Sequence, residues 1–146
     1  MLWVIRRKGI NEMKKMLIIT VLCAIVLTVG CTQKVRRFGS VIGLKEDMLA
    51  KYKDLHANPW PQINKKIKEC NIRNYSIYLT QFPDGKHYLF GYFEYVGNDF
   101  EADMAKMAAD PATQKWWKET DPCQLPLENR PNGKWWKDME EVYHLD

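Results

Sequence analysis

The sequence predicts a small α+β domain built on an antiparallel sheet that carries helices on one face. Three features of residues 31–146 support this prediction. Two aromatic-rich, strand-like segments flank the turn signal Pro83-Asp84-Gly85, as in a β-hairpin. Helical hydrophobic spacing occurs both before and after this pair. Further strand patterns lie near the beginning and near the end of the domain.

The first part of the domain is predicted to be one strand followed by two helices. Residues 37–44 alternate in polarity and contain the β-branched pair Val41-Ile42, which is a strand pattern. Residues 45–55 have apolar side chains at helical spacing, and residues 61–70 resume that spacing. Prolines at positions 59 and 61 separate the two helices, because proline removes a backbone donor and restricts the residue before it.

The centre of the domain is predicted to be the hairpin itself. Ile72–Gln81 is rich in Tyr, Ile, Leu and Thr, and residues 88–96 read Tyr-Leu-Phe-Gly-Tyr-Phe-Glu-Tyr-Val. Aromatic and β-branched residues favour strands because they pack well on a pleated surface. Proline, aspartate and glycine between the two segments each favour a turn.

The last part of the domain is predicted to be two helices, a loop and a strand. Residues 99–109 have helical composition, and Asp110-Pro111 is the cap-then-proline signal of a second helix start. This second helix carries Trp116-Trp117. Residues 122–134 are predicted to be a loop, and residues 140–145 the final strand.

The predicted order is β, α, β, β, α, β. This order is that of the split βαβ, ferredoxin-like arrangement, in which an antiparallel sheet has its helices on one face. The other face then needs a cover, and its strands are rich in aromatic residues. We therefore expect two copies of the chain to pack sheet against sheet in a homodimer.

Residues 1–30 are predicted to be a targeting segment and not part of the fold. Met13-Lys14-Lys15 supplies a basic start, residues 16–29 are uncharged and rich in Leu, Ile and Val, and Gly30-Cys31 follows. This is the layout of a secretory signal. The apolar run is shorter than the ~20 residues of a membrane-spanning helix.

The small residue before Cys31 resembles a bacterial lipoprotein signal, in which the cysteine is lipidated and becomes the first residue. That pattern usually has Leu three places earlier, where this chain has Thr28. We expect residues 31–146 to form an exported domain, either periplasmic or attached to the membrane through lipid on Cys31. The alternative is an uncleaved N-terminal anchor helix, and either Met1 or Met13 can be the start.

Charge in the predicted domain is balanced. The chain has 22 basic and 18 acidic residues, but five of the basic residues and one of the acidic residues precede Cys31. The remaining residues have a formal net charge of zero. A nucleic-acid-binding surface would need a basic stripe on the folded part, so we expect no nucleic-acid partner.

Cysteine and histidine usage predicts no metal site. Cys70 and Cys123 are the cysteines that follow Cys31. In an oxidising compartment they could form a disulfide, but two cysteines do not make a disulfide framework. His87 and His144 are isolated in sequence, so no zinc-ligand spacing occurs.

Tyr52 and His56 form the strongest chemical motif in the chain. Four residues apart, they lie on one helical face, one turn apart. Asn58-Pro59-Trp60-Pro61 follows directly and ends or redirects the helix. Histidine has the unperturbed pKa best suited to proton transfer near neutral pH. The segment therefore predicts a proton-handling pocket with an aromatic wall.

The domain resembles the L-rhamnose mutarotase family from about residue 37 to the C-terminus. Four pieces in the same order carry the resemblance, although the spacing just before Trp60 and the loop at 125–136 depart from the family pattern. The pieces are Tyr52-x-x-x-His56 with Asn58-Pro59-Trp60-Pro61, Asn74-Tyr75-Ser-Ile77-Tyr78-Leu79, Trp116-Trp117-Lys118, and Glu140-Glu141-Val142-Tyr143-His144-Leu145.

The resemblance implies a dimeric α/β-barrel protein that interconverts the anomers of a free sugar without cofactor or metal. It places the catalytic proton donor on His56 and the sugar contacts on Tyr52, Tyr75 and Trp116-Trp117. In this scheme His56 protonates the ring oxygen and later retrieves that proton, while a water or a tyrosine hydroxyl serves as the complementary base. The implied substrate is L-rhamnose or a related 6-deoxyhexose.

Other interpretations of the same residues stay open. A histidine or an aromatic pair is more often structural than functional, and we assign Trp135-Trp136 to packing on that ground. A non-catalytic carbohydrate-binding lipoprotein would use the same pocket without chemistry. A monooxygenase-like member of the same barrel architecture is a third, weaker possibility, since fold alone does not decide function.

Overall fold

A computed structural model of the chain describes residues 34–145. The predicted signal segment and Cys31 lie outside these residues. Five strands and four helices form the described part, with short 3-10 turns at Glu46–Met48 and Asp121–Cys123. The strands are β1 (Arg36–Leu44), β2 (Ile72–Gln81), β3 (His87–Tyr95), β4 (Gln124–Leu125) and β5 (Lys137–Met139). The helices are α1 (Leu49–Ala57), α2 (Pro61–Glu69), α3 (Phe100–Ala108) and α4 (Pro111–Thr120).

The strands form one antiparallel sheet in the order β2-β3-β1-β4, with β5 also paired to β1. The predicted hairpin is confirmed as β2 and β3, and β3 pairs along the whole of β1. The predicted α+β class with the ferredoxin-like strand order is confirmed. Within residues 34–145, no helix combines the length and apolarity needed to cross a membrane.

The break between α1 and α2 follows from the two prolines. The last hydrogen bond of α1 runs from the backbone N–H of Asn58 to the carbonyl of Asp54 (3.1 Å). Trp60 then has extended backbone angles, and Pro61 occupies the first turn of α2, where its missing N–H costs nothing. His56 therefore lies in the last turn of α1.

Aspartate side chains begin the two later helices, at Asp110 as the sequence predicts and also at Asp99. The Asp99 carboxylate accepts from the backbone N–H of Ala102 (3.0 Å), and the Asp110 carboxylate accepts from the backbone N–H of Thr113 (2.8 Å). Each cap satisfies a backbone donor that the first helical turn leaves without a partner. The position of α4 sets that of Trp116 and Trp117.

The predicted final strand is wrong in its position. β5 lies at Lys137–Met139, opposite Gly39–Val41 of β1, and residues 140–145 form no strand. β5 runs antiparallel toward the beginning of β1, and its pairing with β1 ends at Met139, opposite Gly39. Val142, Tyr143 and Leu145 remain exposed instead.

A buried cluster between the sheet and the helices forms the core. It contains Ile42 and Leu44 of β1, Leu89 of β3, Tyr52 of α1 and Cys123. The thiol groups of the described cysteines, Cys70 and Cys123, are both buried and free, so the disulfide that the sequence left open is not formed in this structure.

Replacing Leu89 with Ala is expected to lower the free energy of unfolding by about 2–5 kcal/mol, because the side chain is fully buried and the truncation leaves a cavity. Chemical denaturation followed by circular dichroism measures this loss. Leu145→Ala is the matched control, since Leu145 is exposed and should change the free energy by less than about 0.5 kcal/mol. Equal effects of the two substitutions would contradict the placement of the core.

Candidate active site

A cavity of about 530 Å³ lies between the helices and the sheet. All five residues that the sequence singled out, Tyr52, His56, Tyr75, Trp116 and Trp117, line it. Its volume is within the usual range of small-molecule sites, and its lining is mostly apolar with a few polar groups. A second hollow of about 650 Å³, beside the β2–β3 turn, contains none of these residues.

The imidazole of His56 is held in one orientation by Tyr52. Its Nδ1 lies 2.9 Å from the backbone carbonyl oxygen of Tyr52. The two rings also stack, with centroids 4.1 Å apart and planes at 28°. A carbonyl can only accept, so Nδ1 carries the proton and the neutral ring keeps a lone pair on Nε2. Among residues 34–145, Nε2 has no hydrogen-bond partner.

Burial keeps His56 mostly neutral at physiological pH. Loss of solvent around the imidazole lowers its pKa below the ordinary 6.5, and the hydrogen bond to the Tyr52 carbonyl opposes this shift only in part. Burial disfavours the charged form of a histidine. His56 therefore presents a proton acceptor to the cavity in its resting state.

The phenol of Tyr52 sits beneath this ring in the core. Burial, followed by the proximity of the Tyr75 phenol, raises the pKa of Tyr52, and an interaction with the Gln124 side chain partly offsets the rise. Tyr52 is thus protonated at any physiological pH. The family resemblance implied a sugar contact for Tyr52, whereas the stacked geometry supports a role in orienting the imidazole.

A β-bulge turns Tyr75 toward the cavity. The pairing of β2 with β3 shifts by one residue between Arg73 and Ser76, and Asn74 adopts a positive φ of 50°, which asparagine tolerates better than most residues. The Asn74 amide also donates to Glu94 across the strands (2.9 Å). Because the extra residue reverses the alternation of faces, Tyr75 lines the cavity together with Ile72, three residues earlier.

The adjacent tryptophans of α4 have different surroundings. Trp116 is buried, with its ring in edge-on contact with both His56 and Trp60, at centroid distances of 5.4 and 5.3 Å. Trp117 is exposed and lines the cavity. Trp116 therefore supports the imidazole, and Trp117 offers the freer ring to a ligand.

Several cavity residues were missed from the sequence. Trp135 and Trp136, assigned to packing, both line the cavity, although Trp136 does pack against the core as expected. Gln124 is buried beside Tyr52, and the Asp121 carboxyl lines the cavity with a pKa raised by burial. Trp135 and Trp136 could have been recognised from the sequence as a second tryptophan pair, in a loop that contains Gly and Pro.

The cavity offers no metal centre in the part of the chain that the structure describes. No group of three or more His, Cys, Asp or Glu side chains is arranged to hold an ion among residues 34–145.

Comparison with known proteins identifies the family. The family model described as L-rhamnose mutarotase matches residues 37–145. The chain belongs to the L-rhamnose mutarotase family. An L-rhamnose mutarotase of Lactiplantibacillus plantarum is 33% identical over 110 residues, which cover 75% of this chain and 98% of that protein. One from Bacillus subtilis is 31% identical over 111 residues, covering 76% and 99%.

A solved structure supports the same fold. The crystal structure of an L-rhamnose mutarotase from Formosa agariphila superposes with a TM-score of 0.56 at 21% identity, and the match covers 76% of this chain and 99% of that one. The family resemblance inferred from the sequence motifs is thus confirmed. All five predicted site residues lie inside the part of the chain that matches the L-rhamnose mutarotase model.

NMR titration tests the state of His56. We expect its ring resonances to titrate with a midpoint below 6.5, because burial lowers the pKa, and the neutral ring to be the Nδ1–H tautomer. Nitrogen-15 shifts of the imidazole report both properties, and the His56→Ala spectrum assigns the signals. A midpoint above 6.5, or a neutral ring protonated on Nε2, would contradict the described geometry.

Proposed function

We propose that the protein is a sugar mutarotase that interconverts the α and β anomers of L-rhamnose or a related 6-deoxyhexose. The observation that supports this most directly is the resting state of His56. A neutral imidazole, fixed through Nδ1, lines an aromatic cavity with Nε2 free of partners among the described residues. The names of the family's relatives point to the same reaction.

Ring opening needs two proton transfers at once. The anomeric hydroxyl loses a proton while the ring oxygen gains one. The free aldehyde then turns about the C1–C2 bond and closes on its other face. Because the reaction also proceeds slowly in water, a positioned acid–base group, typically worth about 10²–10⁴-fold, is enough to make an enzyme.

In our proposal His56 acts first as the base. Its Nε2 takes the proton of the anomeric hydroxyl during opening, and the imidazolium so formed returns a proton to the C1 oxygen during closure. The cycle begins and ends with the neutral ring that the lowered pKa favours. This order differs from the sequence-based expectation, in which His56 first protonates the ring oxygen, because that step would require a resting imidazolium.

The complementary proton comes from a group that rests protonated. Loss of solvent around its hydroxyl raises the pKa of Tyr75, although 45% of the residue's surface is exposed. This hydroxyl has no hydrogen-bond partner among residues 34–145. We assign Tyr75 as the donor toward the ring oxygen, directly or through a water. The Asp121 carboxyl, with its raised pKa, is a second proton-exchanging group on the same wall.

The aromatic lining favours a 6-deoxy sugar. Such a sugar has a methyl group where an ordinary hexose has a hydroxymethyl group, and the exposed rings of Tyr75 and Trp117 offer it an apolar surface. An apolar difference of this size is worth about 1–3 kcal/mol in discrimination. The targeting signal of residues 1–30 would place the activity outside the cytoplasm, where polysaccharide breakdown releases such sugars.

Saturation-transfer NMR of α- and β-L-rhamnose tests the function. Wild-type protein is expected to speed anomer exchange above the buffer rate. The His56→Ala variant is expected to lose at least 10²-fold of that acceleration and still to bind sugar, because the substitution removes only the proton carrier. His144→Ala is the control, since His144 lies outside the cavity. A wild-type protein that binds rhamnose without speeding exchange would instead be the carbohydrate-binding lipoprotein of the alternative hypothesis.

We also propose that the protein is a homodimer joined through the outer face of its sheet. Val41, Phe90 and Tyr78 are paired in one row across β1, β3 and β2. This row faces away from the helices, and Tyr78 is 64% exposed. Contiguous apolar patches of this kind commonly mark association sites, and a second copy would cover them symmetrically.

Light scattering after size exclusion measures the assembly. The wild-type protein is expected to have twice the mass of one chain, and Tyr78→Asp to shift it toward the monomer, because a charge would be buried in the interface. Gln62→Asp adds the same charge on the exposed surface of α2 and should leave the dimer intact. A monomeric wild-type protein at micromolar concentration would overturn the dimer proposal.

A further inference from the structure

The segment before β5 forms one wall of the cavity. Trp135 and Trp136 both line it, and they come from a loop far in sequence from His56 and Tyr75. Trp136 fixes this wall in place because it packs against the core. Its indole ring lies over Gly91 of β3, so close that a Cβ atom added to Gly91 would be 3.4 Å from the ring. Trp135, one residue earlier, is not part of the buried core.

A single buried amide holds the Trp135 indole. Its Nε1–H donates to the side-chain oxygen of Gln124 at 2.7 Å. Gln124 is buried, and its backbone is fixed in β4 opposite Leu44 of β1. The same Gln124 side chain interacts with the Tyr52 phenol and offsets part of the rise in its pKa that burial causes. Gln124 therefore links the indole to the tyrosine on which the His56 imidazole stacks.

Exposure distinguishes the rings that can touch a ligand from the rings that support them. Trp116 and Tyr52 are 7% and 4% exposed, so almost no face of either ring is free. Tyr75, Trp117 and Trp135 line the same cavity and are 45%, 38% and 44% exposed. These three rings are the most exposed aromatic side chains of the cavity lining.

We propose that Trp135 is a substrate-contacting residue that helps to set sugar specificity, and that Gln124 is its positioning residue. This inference rests on the proposed mutarotase function and adds a contact that the sequence motifs did not include. The substrate class is a monosaccharide with an apolar C–H face, such as a 6-deoxyhexose. That face lies against the indole ring of Trp135.

The hydrogen bond to Gln124 favours binding of a sugar against the Trp135 ring, for two reasons. With its only polar atom already bonded within the protein, the indole has no need of a water or a sugar hydroxyl at Nε1. Its ring is also oriented before the ligand arrives, so less conformational entropy is lost on binding. A large, rigid apolar face of this kind suits a sugar's C–H surface.

Anomer-exchange kinetics of purified full-length variants test the proposal. Trp135→Ala is expected to raise KM for L-rhamnose by about tenfold, with kcat within about twofold of wild type, because the indole contacts the sugar equally before and during ring opening. Trp135→Phe should raise KM less, since part of the apolar face remains. Leu125→Ala, an exposed residue outside this cavity and next to Gln124, is the matched control.

The role of Gln124 is tested in two steps. Gln124→Leu is expected to raise KM and to move the Trp135 indole N–H resonance, which the Trp135→Phe spectrum assigns. If Gln124 acts on binding through Trp135, adding Gln124→Leu to Trp135→Ala raises KM no further. A further multiplicative rise in KM would overturn its role as a positioning residue for the indole.

The outcomes separate this inference from the proposed function. Anomer exchange by wild type with an unchanged KM in Trp135→Ala overturns the specificity role alone. No exchange by wild type overturns the mutarotase function and this inference with it. A dispersed amide spectrum of each variant establishes that it is folded, and Trp135→Phe provides a second test should Trp135→Ala unfold.

Discussion

The hydrogen bond from His56 to the backbone of Tyr52 is the interaction on which the site depends. It fixes the tautomer of the imidazole, and the stacked Tyr52 ring fixes its plane. The location of His56 in the last turn of a helix would by itself favour the charged ring, but burial has the larger effect and lowers the pKa. The result is a neutral base in an aromatic cavity, which is the form that the proposed mechanism uses at its first step.

Two local irregularities bring the other groups to this base. The prolines that end α1 place Trp60 beside Trp116, and this edge-on pair closes one side of the imidazole. The bulge at Asn74 turns Tyr75 from the outer face of the sheet to the cavity face. Regular helix geometry supplies the Tyr52 contact, and these two irregularities add Trp60 and Tyr75 to the surroundings of the cavity.

The sequence predicted the parts of this molecule that local chemistry determines. The helix start at Asp110, the central hairpin and the Tyr52–His56 spacing are all visible within a few residues, and the family motifs marked five positions that line one cavity. The final strand was misplaced because its position depends on long-range pairing with Gly39–Val41 of β1, which the local pattern of residues 140–145 does not show. Gln124 and Trp135 were missed because a bond between a two-residue strand and a loop leaves no periodic signal.

The pH dependence of enzyme-catalysed anomer exchange tests the central claim most directly. After subtraction of the buffer reaction, kcat/KM for L-rhamnose should be constant near neutral pH and fall on the acid side as His56 gains a proton, with an apparent pKa below 6.5. The lowered pKa requires this sign, because protonation removes the base. A rate constant that instead rises as the pH falls through this range would show that the imidazolium is the active form and would contradict the account.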